Sequence, residues 1–184
     1  MSVLASPGQL RASFFRWALF TVPLVMLLGF MSGRIVQGGP GNEWFDALTK
    51  PEIFPNPALF GIVWTVMFFL MGLSLALVCA AWGARVRTAA ITAFAVQFMF
   101  VLAWTPVFFG AHEITGALVV IGVLVILVIG TTALFWQVRR LAALLLLPYL
   151  AWVIFAATLN WQFLELNPDA DGAEAPSSVQ RFEI

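Results

Sequence analysis

The sequence predicts an all-α membrane protein, a bundle of five transmembrane helices with a long ordered loop between the first and second. Hydrophobic residues make up 62% of its 184 residues and charged residues only 10%, whereas soluble domains are about one-quarter charged. Five charge-free apolar runs approach or exceed the roughly 20 residues that a helix needs to cross a bilayer. Short connections after the second, third and fourth runs make successive helices antiparallel neighbours.

The five predicted spans lie at 17–33, 58–82, 88–109, 114–136 and 141–164, and none contains an acidic or basic residue. The first is short, but Arg16 at its edge can snorkel to the interface. Arg11 and Arg16 before an apolar stretch also resemble a secretory signal. Because FMSGR offers no A-x-A cleavage site, we interpret the segment as a retained helix, with cleavage as the alternative. Residues 1–13 form an N-terminal segment.

The loop at 34–57 separates the first two spans. Pro51, Pro55 and Pro57 hold its end extended until a helix can begin at Ala58. A loop of this length in a compact bundle is typically functional or disordered. An ordered, packed loop is favoured by its aromatic and apolar residues, which are Trp44, Phe45, Ile53 and Phe54.

The ends and charges give less information. Residues 168–184 are polar and rich in small residues, so we expect a disordered tail. More arginines fall on the side of the bilayer that holds the N-terminus than on the loop side, where Arg34 and Lys50 lie. This distribution predicts a cytoplasmic N-terminus. A transit peptide is not evident, and we favour a bacterial inner membrane. The net charge is zero, without a basic block that would indicate nucleic acid.

Aromatic and amide residues recur at helical spacing on three spans. They are Phe60, Trp64 and Phe68 on the second span, Gln97, Trp104 and Phe108 on the third, and Tyr149, Trp152, Ala156 and Asn160 on the fifth. Counting about 1.5 Å per residue places Trp64, Trp104 and Asn160 in one layer near the loop side, with Gln97 and Trp152 deeper.

These faces have two interpretations. A flat, apolar ligand can stack on indole and phenyl rings between helices, with the amides fixing its orientation and the stiffened loop acting as a lid. Alternatively, the tryptophans belong to the interfacial belt or to packing, and Gln97 and Asn160 merely join helices by hydrogen bonds. Spacing alone leaves both open.

Several chemistries are disfavoured. The spans lack the ionisable residues that mark proton relays and ion coupling, and they lack paired carboxylates, a Ser-His-Asp set or a phosphate loop. His112, the only histidine, falls in a short turn, and Cys79 is the only cysteine, so no metal site or bound cofactor is predicted.

Five segments resemble, in order and spacing, the translocator protein family, also called tryptophan-rich sensory proteins. They are EWFDALTKP (43–51), FGIVWT (60–65), FLMG (69–72), WTPVFFG (104–110) and PYLAW…ATLN (148–160). The resemblance implies a five-helix bundle, often dimeric, with a pocket beneath the first long loop that binds porphyrins and, in animal members, sterols and benzodiazepine-type drugs.

The resemblance also implies roles for individual residues. Trp64 and Trp152 match the pocket tryptophans, with Trp104, Phe108 and Asn160 nearby; the lid comprises Trp44, Phe45 and Pro51, to which loop position adds Ile53 and Pro55. Four positions depart from the family pattern: a tryptophan becomes Ile53, a proline Asn56, a tyrosine Phe68 and an asparagine Val101. Losing one amide and one hydroxyl removes polar contacts of about 1 kcal/mol each, so ligand preference is expected to differ.

We therefore expect a membrane protein that binds protoporphyrin IX or a related tetrapyrrole as a ligand and has a sensory or regulatory role. The first alternative is light- or oxygen-dependent porphyrin degradation, with Trp64 and Trp152 as redox partners; no other catalytic residue is assigned. The second is porphyrin or sterol transport. A homodimer is also expected, as the resemblance implies. Ala89 and Ala93 would permit two copies of the third span to approach closely, but such spacing is common by chance.

Overall fold

The computed structural model describes residues 7–172, which contain helices and turns and no strand. The α-helices are α1 (Pro7–Ile35), α2 (Glu43–Ala47), α3 (Pro57–Cys79), α4 (Arg87–Thr105), α5 (Ile114–Val138) and α6 (Arg140–Leu166). All except α2 belong to the five segments that are long and apolar enough to cross a membrane. The predicted five-span, all-helical architecture is therefore confirmed.

The helices extend beyond the predicted spans at several ends. α1 begins at Pro7 rather than residue 17, and α6 runs from Arg140 to Leu166 rather than 141–164. Hydropathy marks only the part of a helix that lies in hydrocarbon. The backbone hydrogen bonds of a helix are internal, so it continues into the headgroup region past charged residues such as Arg11.

α3 ends earlier than predicted, at Cys79 instead of residue 82. The carbonyl oxygen of Cys79 accepts hydrogen bonds from Nε and Nη2 of Arg87 at 3.1 and 2.8 Å, which satisfies a carbonyl that the helix end leaves unpaired. Gly83 then has a φ of 82°, which glycine adopts without a Cβ penalty and which reverses the chain into α4.

The α-helical part of the third span ends at Thr105, and Pro106–Gly110 continue as a π-helical turn. Proline has no N–H to donate and crowds the preceding turn, so the ladder changes there. The backbone N–H of Ala111 donates to the Pro106 carbonyl at 2.9 Å, five residues back. Local π turns of this kind are frequent at functional sites, and this one presents Phe108 and Phe109 toward the loop between α1 and α3.

The arginine-rich half of the bundle is closely packed. Thr21 Oγ1 donates to the Gly72 carbonyl at 2.8 Å, and a Cβ at Gly72 would lie 2.6 Å from Cα of Val22. Ser74 Oγ joins α3 to the Ala142 carbonyl of α6 at 2.7 Å. Small residues and hydroxyls at helix crossings are the usual means of close approach in membranes.

The connector, residues 36–56, contains α2, which the sequence analysis did not predict. Asn42 caps it, its Oδ1 accepting from the Phe45 N–H at 3.0 Å, and Glu43 and Asp46 lie in its first turn. Both features are ordinary signs of a helix start. Trp44 and Phe45 are buried, which anchors α2 on the bundle.

The start of the tail is ordered, which corrects part of the expected disorder at 168–184. Residues 168–170 form a 3-10 turn. The Asp171 carboxylate accepts from the Thr115 backbone N–H at 3.0 Å and from its hydroxyl at 2.5 Å, and Gly172 N donates to the His112 carbonyl at 2.9 Å. These bonds cap the first turn of α5, a function that composition does not reveal. Residues 173–184 lie outside the described residues.

Candidate functional site

A cavity of about 370 Å³ lies between the connector and the loop-side halves of the spans. Every span and the connector contribute to its wall. The lining residues are Gly29, Phe30, Ser32, Gly33, Gly38, Gly39, Pro40, Phe45, Phe54, Pro57, Phe60, Gly61, Trp64, Phe68, Val101, Leu102, Trp104, Thr105, Phe108, Phe109, Ile121, Leu124, Val153, Ala156, Leu159, Asn160 and Phe163.

Eight of the fifteen residues predicted from the sequence as ligand-binding or lid residues line this cavity. They are Phe45, Phe60, Trp64, Phe68, Trp104, Phe108, Ala156 and Asn160. Helical spacing therefore identified three walls, on α3, on α4 with its π turn, and on α6. It missed the α1 wall, where glycines rather than aromatic residues leave the space, and the α5 wall, which carries only Ile121 and Leu124.

Asn160 joins three helices at the cavity wall. Its Oδ1 accepts from Trp104 Nε1 at 3.0 Å, and its Nδ2 donates to the Ile114 carbonyl at 3.0 Å. The two residues thus lie in one layer, as their counted depths predicted. The amide joins helices, as one interpretation held, and also faces the cavity. Its oxygen and nitrogen each retain one further hydrogen-bonding position.

Gln97 and Tyr149 lie below the cavity and do not line it. Tyr149 Oη donates to Gln97 Oε1 at 3.0 Å, and both side chains are fully buried. One helical turn above them, Val101 and Val153 form part of the cavity wall. Gln97 Nε2 has no hydrogen-bond partner among the described residues.

Trp152 also stays outside the cavity wall. Its ring packs edge-on against Phe60, with centroids 5.5 Å apart, and against Phe155 at 5.3 Å. Its buried Nε1 makes no hydrogen bond within the described chain. Trp64, by contrast, lines the cavity and packs on Phe68 at 5.2 Å. The two tryptophans that the family resemblance pairs therefore occupy different environments, one at the cavity wall and one outside it.

Aromatic rings cover the cavity on the connector side. Phe45 contacts the rings of Phe54, Phe108, Phe109 and Phe163, with centroids 5.1 to 6.3 Å apart. Such tilted and edge-to-face contacts add about 0.5–1.5 kcal/mol per pair beyond area burial. The cover is thus a packed cluster rather than a loose loop segment.

The other predicted lid residues do not line the cavity. Trp44 is buried above it, with its indole stacked on His112 at 4.6 Å between centroids. Pro51 is buried, Pro55 is half-buried and Ile53 is 47% exposed. These residues shape the connector, whereas Phe45 and Phe54 reach the cavity itself.

Two polar side chains hold the connector in place. Asn167, after α6, accepts from Thr49 N at 2.7 Å and donates from Nδ2 to the Thr49 carbonyl at 3.0 Å. The Lys50 ammonium donates to carbonyls at the end of α2, including those of Phe45 and Leu48. Burial lowers the pKa of Lys50, an effect that the Asp46 carboxylate opposes.

The wall of the cavity on α1 is formed around Gly29 and Gly33. A Cβ at Gly29 would lie 2.4 Å from the Phe68 ring, so glycine is what allows that ring to occupy the cavity floor. Gly33 and Gly61, on facing helices, have no atom within 4 Å of such a Cβ. α1 and α3, which touch closely at Gly72, therefore separate toward the connector.

No ionisable side chain is among the residues that line the cavity. Within residues 7–172, no group of three or more histidine, cysteine or acidic residues is placed to hold a metal ion. The wall offers ring faces, aliphatic groups and a few uncharged polar atoms, including Ser32 Oγ, which donates to the Leu102 carbonyl at 2.7 Å. Such a surface attracts flat apolar molecules and can orient them through neutral hydrogen bonds.

Comparison with known proteins gives consistent matches. The sequence profile of the TspO/MBR family matches residues 21–166. The chain is 37% identical over 148 residues to "Tryptophan-rich protein TspO" of Chlorobaculum tepidum, covering 80% of this chain and 93% of that protein. It is 36% identical over 134 residues to "Tryptophan-rich sensory protein" of Cereibacter sphaeroides (73% and 83%). It is 38% identical over 152 residues to "Translocator protein" of Sus scrofa (81% and 89%).

Proposed function

The chain belongs to the TspO/MBR family, and from this premise we propose that it binds a porphyrin or related flat apolar ligand in the cavity beneath the connector, with a sensory or regulatory role. The motif resemblance drawn from the sequence is thereby confirmed at the level of the family. The names of two relatives, a sensory protein and a translocator protein, are consistent with sensing and with transport.

One observation carries this proposal: an aromatic-walled cavity of about 370 Å³ lies at membrane depth with no charged group in its wall. Small-molecule pockets usually span about 300–1,000 Å³ and are mostly apolar with a few placed polar groups. Trp64 and Phe68 supply one ring surface, and Trp104 stacked on Phe108, with centroids 5.1 Å apart, supplies another. A macrocycle with a delocalised ring system matches such surfaces better than a compact polar molecule does.

Polar atoms at the wall would orient the ligand. Asn160 retains one donor and one acceptor position beyond its bonds to Trp104 and Ile114. The acidic side groups of a porphyrin would stay at the mouth, where Arg34 follows the lining residue Gly33. A carboxylate inside the apolar wall would be unpaired and costly.

The connector would serve as the lid of this site. Its aromatic cluster and its bonds to Asn167 hold it over the cavity. Because the connector is already ordered, ligand binding would cost little further conformational entropy. We also propose that the chain forms a homodimer in a bacterial inner membrane with its N-terminus in the cytoplasm, as the small residues of α4 and the arginine distribution favour.

Degradation of the porphyrin is the alternative activity. The absence of ionisable groups from the described cavity wall disfavours acid–base chemistry, so any turnover would depend on redox reactions of tryptophan. Trp64 lines the cavity and would touch a ligand there, whereas Trp152 does not line it and packs against the lining residue Phe60. This arrangement supports binding more directly than a reaction that needs both indoles at the ligand.

The test is a titration of purified full-length protein with protoporphyrin IX in the dark. Binding is followed by the porphyrin's own absorbance, because removing a tryptophan changes the protein's emission. Trp64→Leu should weaken binding by about 2- to 12-fold. Trp161→Leu, at an indole that is 50% exposed on the outside of α6, should leave the affinity unchanged.

Two results would contradict the proposal. One is wild-type protein that does not saturate with porphyrin; the other is an equal loss in both tryptophan variants. A parallel incubation in light and air, compared with free porphyrin, reports degradation separately. Product formation beyond photobleaching would favour the alternative activity at the same site.

A further inference from the structure

Charge is divided unequally between the two ends of the bundle. Within the described chain, the end formed by the start of α1 and the α3–α4 and α5–α6 connections carries arginines and no carboxylate. These arginines are Arg11, Arg16, Arg85, Arg87, Arg139 and Arg140. The connector end carries the described acidic residues, which are Glu43, Asp46, Glu52, Glu113, Glu165, Asp169 and Asp171. The arginine-rich end is thus strongly cationic without internal neutralisation.

A groove opens at this cationic end between α1 and the α3–α4 turn. It is an open surface groove lined by Ser13, Arg16, Trp17, Phe20 and Trp82. Phe20 and Trp82 are 60% and 70% exposed, so two large apolar side chains flank an exposed arginine. The porphyrin cavity shares none of these residues.

Trp82 is held in position by its neighbour. The Arg87 guanidinium lies over the indole with its carbon 4.2 Å from the ring centroid, and it is fixed by two hydrogen bonds to the Cys79 carbonyl. A guanidinium has five N–H donors, so three remain beyond those two bonds. One wall of the groove is therefore the Trp82 ring, which the Arg87 guanidinium holds in position. That guanidinium still has N–H groups free to donate hydrogen bonds.

We propose that this groove binds the headgroup of an anionic phospholipid, with one acyl chain lying along Phe20. An arginine fork matches a phosphate through two parallel hydrogen bonds, and Arg16 makes no hydrogen bond to other described residues. Indole rings favour the headgroup level, and basic pockets between helices are sites where anionic lipids bind selectively. Charge complementarity selects an anionic over a zwitterionic lipid, because no carboxylate on this end of the described chain would pair with a choline group.

The arginines also have a simpler role, which is to orient the protein in the membrane. That role concerns charge near the membrane and does not distinguish one arginine from another. The structure offers two matched comparisons. Arg11 is exposed on the same helix as Arg16 but does not line the groove. Arg140, at the same end of the bundle, has its guanidinium carbon 5.6 Å from the Trp136 ring centroid, and this pair does not line the groove either. A specific lipid site must depend on the groove residues and not on these counterparts.

The experiment reconstitutes full-length protein into mixed micelles and titrates phosphatidylglycerol or phosphatidylcholine carrying brominated acyl chains, which quench nearby tryptophan. Native mass spectrometry of the same samples counts the lipids retained. Wild-type protein should prefer phosphatidylglycerol. Arg16→Gln should reduce that preference about fivefold and Arg11→Gln by less than about twofold.

Trp82→Phe tests the groove without changing charge. Because the substitution also removes a quenched tryptophan, the lipids retained in native mass spectrometry are the readout for this variant. Trp82→Phe should lower the retention of phosphatidylglycerol, whereas Trp136→Phe should leave it unchanged. Equal losses in Arg16→Gln and Arg11→Gln would mean that the lipid responds only to total charge, and the proposal would be wrong. A wild-type protein that retains both lipids equally would also overturn it. Porphyrin binding is not expected to change in any of these variants.

Discussion

Replacing Gly29 with alanine should alter the cavity with the smallest possible change in the chain. The added Cβ would lie 2.4 Å from two atoms of the Phe68 ring, whereas ordinary contacts begin at 3.4 Å. The ring must therefore move by about 1 Å. Phe30, Trp64 and Phe98 surround it, with centroids 5.2 to 6.4 Å away, and the open side is the cavity. The displaced ring consequently enters the space proposed for the ligand.

The expected loss follows from the cost of overpacking. Forcing a side chain into a well-packed site costs about 1–3 kcal/mol, which corresponds to about 5- to 150-fold in affinity when the ligand must restore the original ring position. Folding should suffer less, because the empty cavity accommodates the ring and alanine is about 1 kcal/mol better than glycine within a helix. Gly29→Ala should thus weaken porphyrin binding more than it lowers the thermal stability.

Gly33→Ala is the matched control. Gly33 lies one helical turn further along α1 and also lines the cavity, but its added Cβ would have no atom within 4 Å. Dissociation constants for protoporphyrin IX and melting curves by far-UV circular dichroism should be measured for both variants. The reasoning is refuted if Gly29→Ala binds like wild type, or if Gly33→Ala loses as much affinity.

Three further variants test polar contacts. Asn160→Leu should lower the free energy of unfolding by about 1–3 kcal/mol, because two buried partners lose their hydrogen bonds. Thr158→Val, whose hydroxyl bonds only within α6, should lower it less, and similar losses in the two variants would contradict the prediction. Burial raises the pKa of the Asp171 carboxyl, but hydrogen bonds from the first turn of α5 together outweigh it, so the pKa lies below its ordinary value of 3.8. The stabilisation that the carboxylate gives is therefore present above pH 3.8 and is lost as the pH falls through the lowered pKa. Asp171→Asn should remove this pH-dependent part of the melting temperature, and an unchanged pH profile would contradict the prediction. Asn167→Ala should speed hydrogen exchange at the Thr49 amide about 5- to 10-fold, and unchanged protection would show that the bond does not hold the connector.

The spans could be predicted from the sequence because length and hydropathy suffice to identify a segment that crosses hydrocarbon. Their ends could not, since those depend on single contacts. Arg87 satisfies the Cys79 carbonyl where α3 ends, and the π turn of the third span begins at Pro106. The helix α2 had a readable signal in the sequence, the capping residue Asn42 followed by the acidic Glu43.

The cavity could be predicted in part. Spacings of 3 and 4 residues identified the helix faces that carry Trp64, Trp104 and Asn160. These residues line one cavity because the three faces point toward each other there. The same spacing included Gln97 and Tyr149, which bond to each other below the cavity. Periodicity gives the face of a helix, but whether that face meets a neighbouring helix or a hollow depends on tertiary packing. The α1 wall illustrates this limit, since its contribution is the absence of side chains.

The two halves of the bundle differ because the residues at their crossings differ. In the arginine-rich half, Thr21 and Ser74 donate to carbonyls of neighbouring helices, and the small Gly72 allows contact. In the other half, Gly33 and Gly61 place no side chain between α1 and α3, and a hollow remains there that aromatic residues line. At the cavity wall there, Trp104 donates its indole N–H to Asn160. The proposed ligand would therefore be selected by shape and stacking, and any charged group that it carries would remain at the mouth of the cavity.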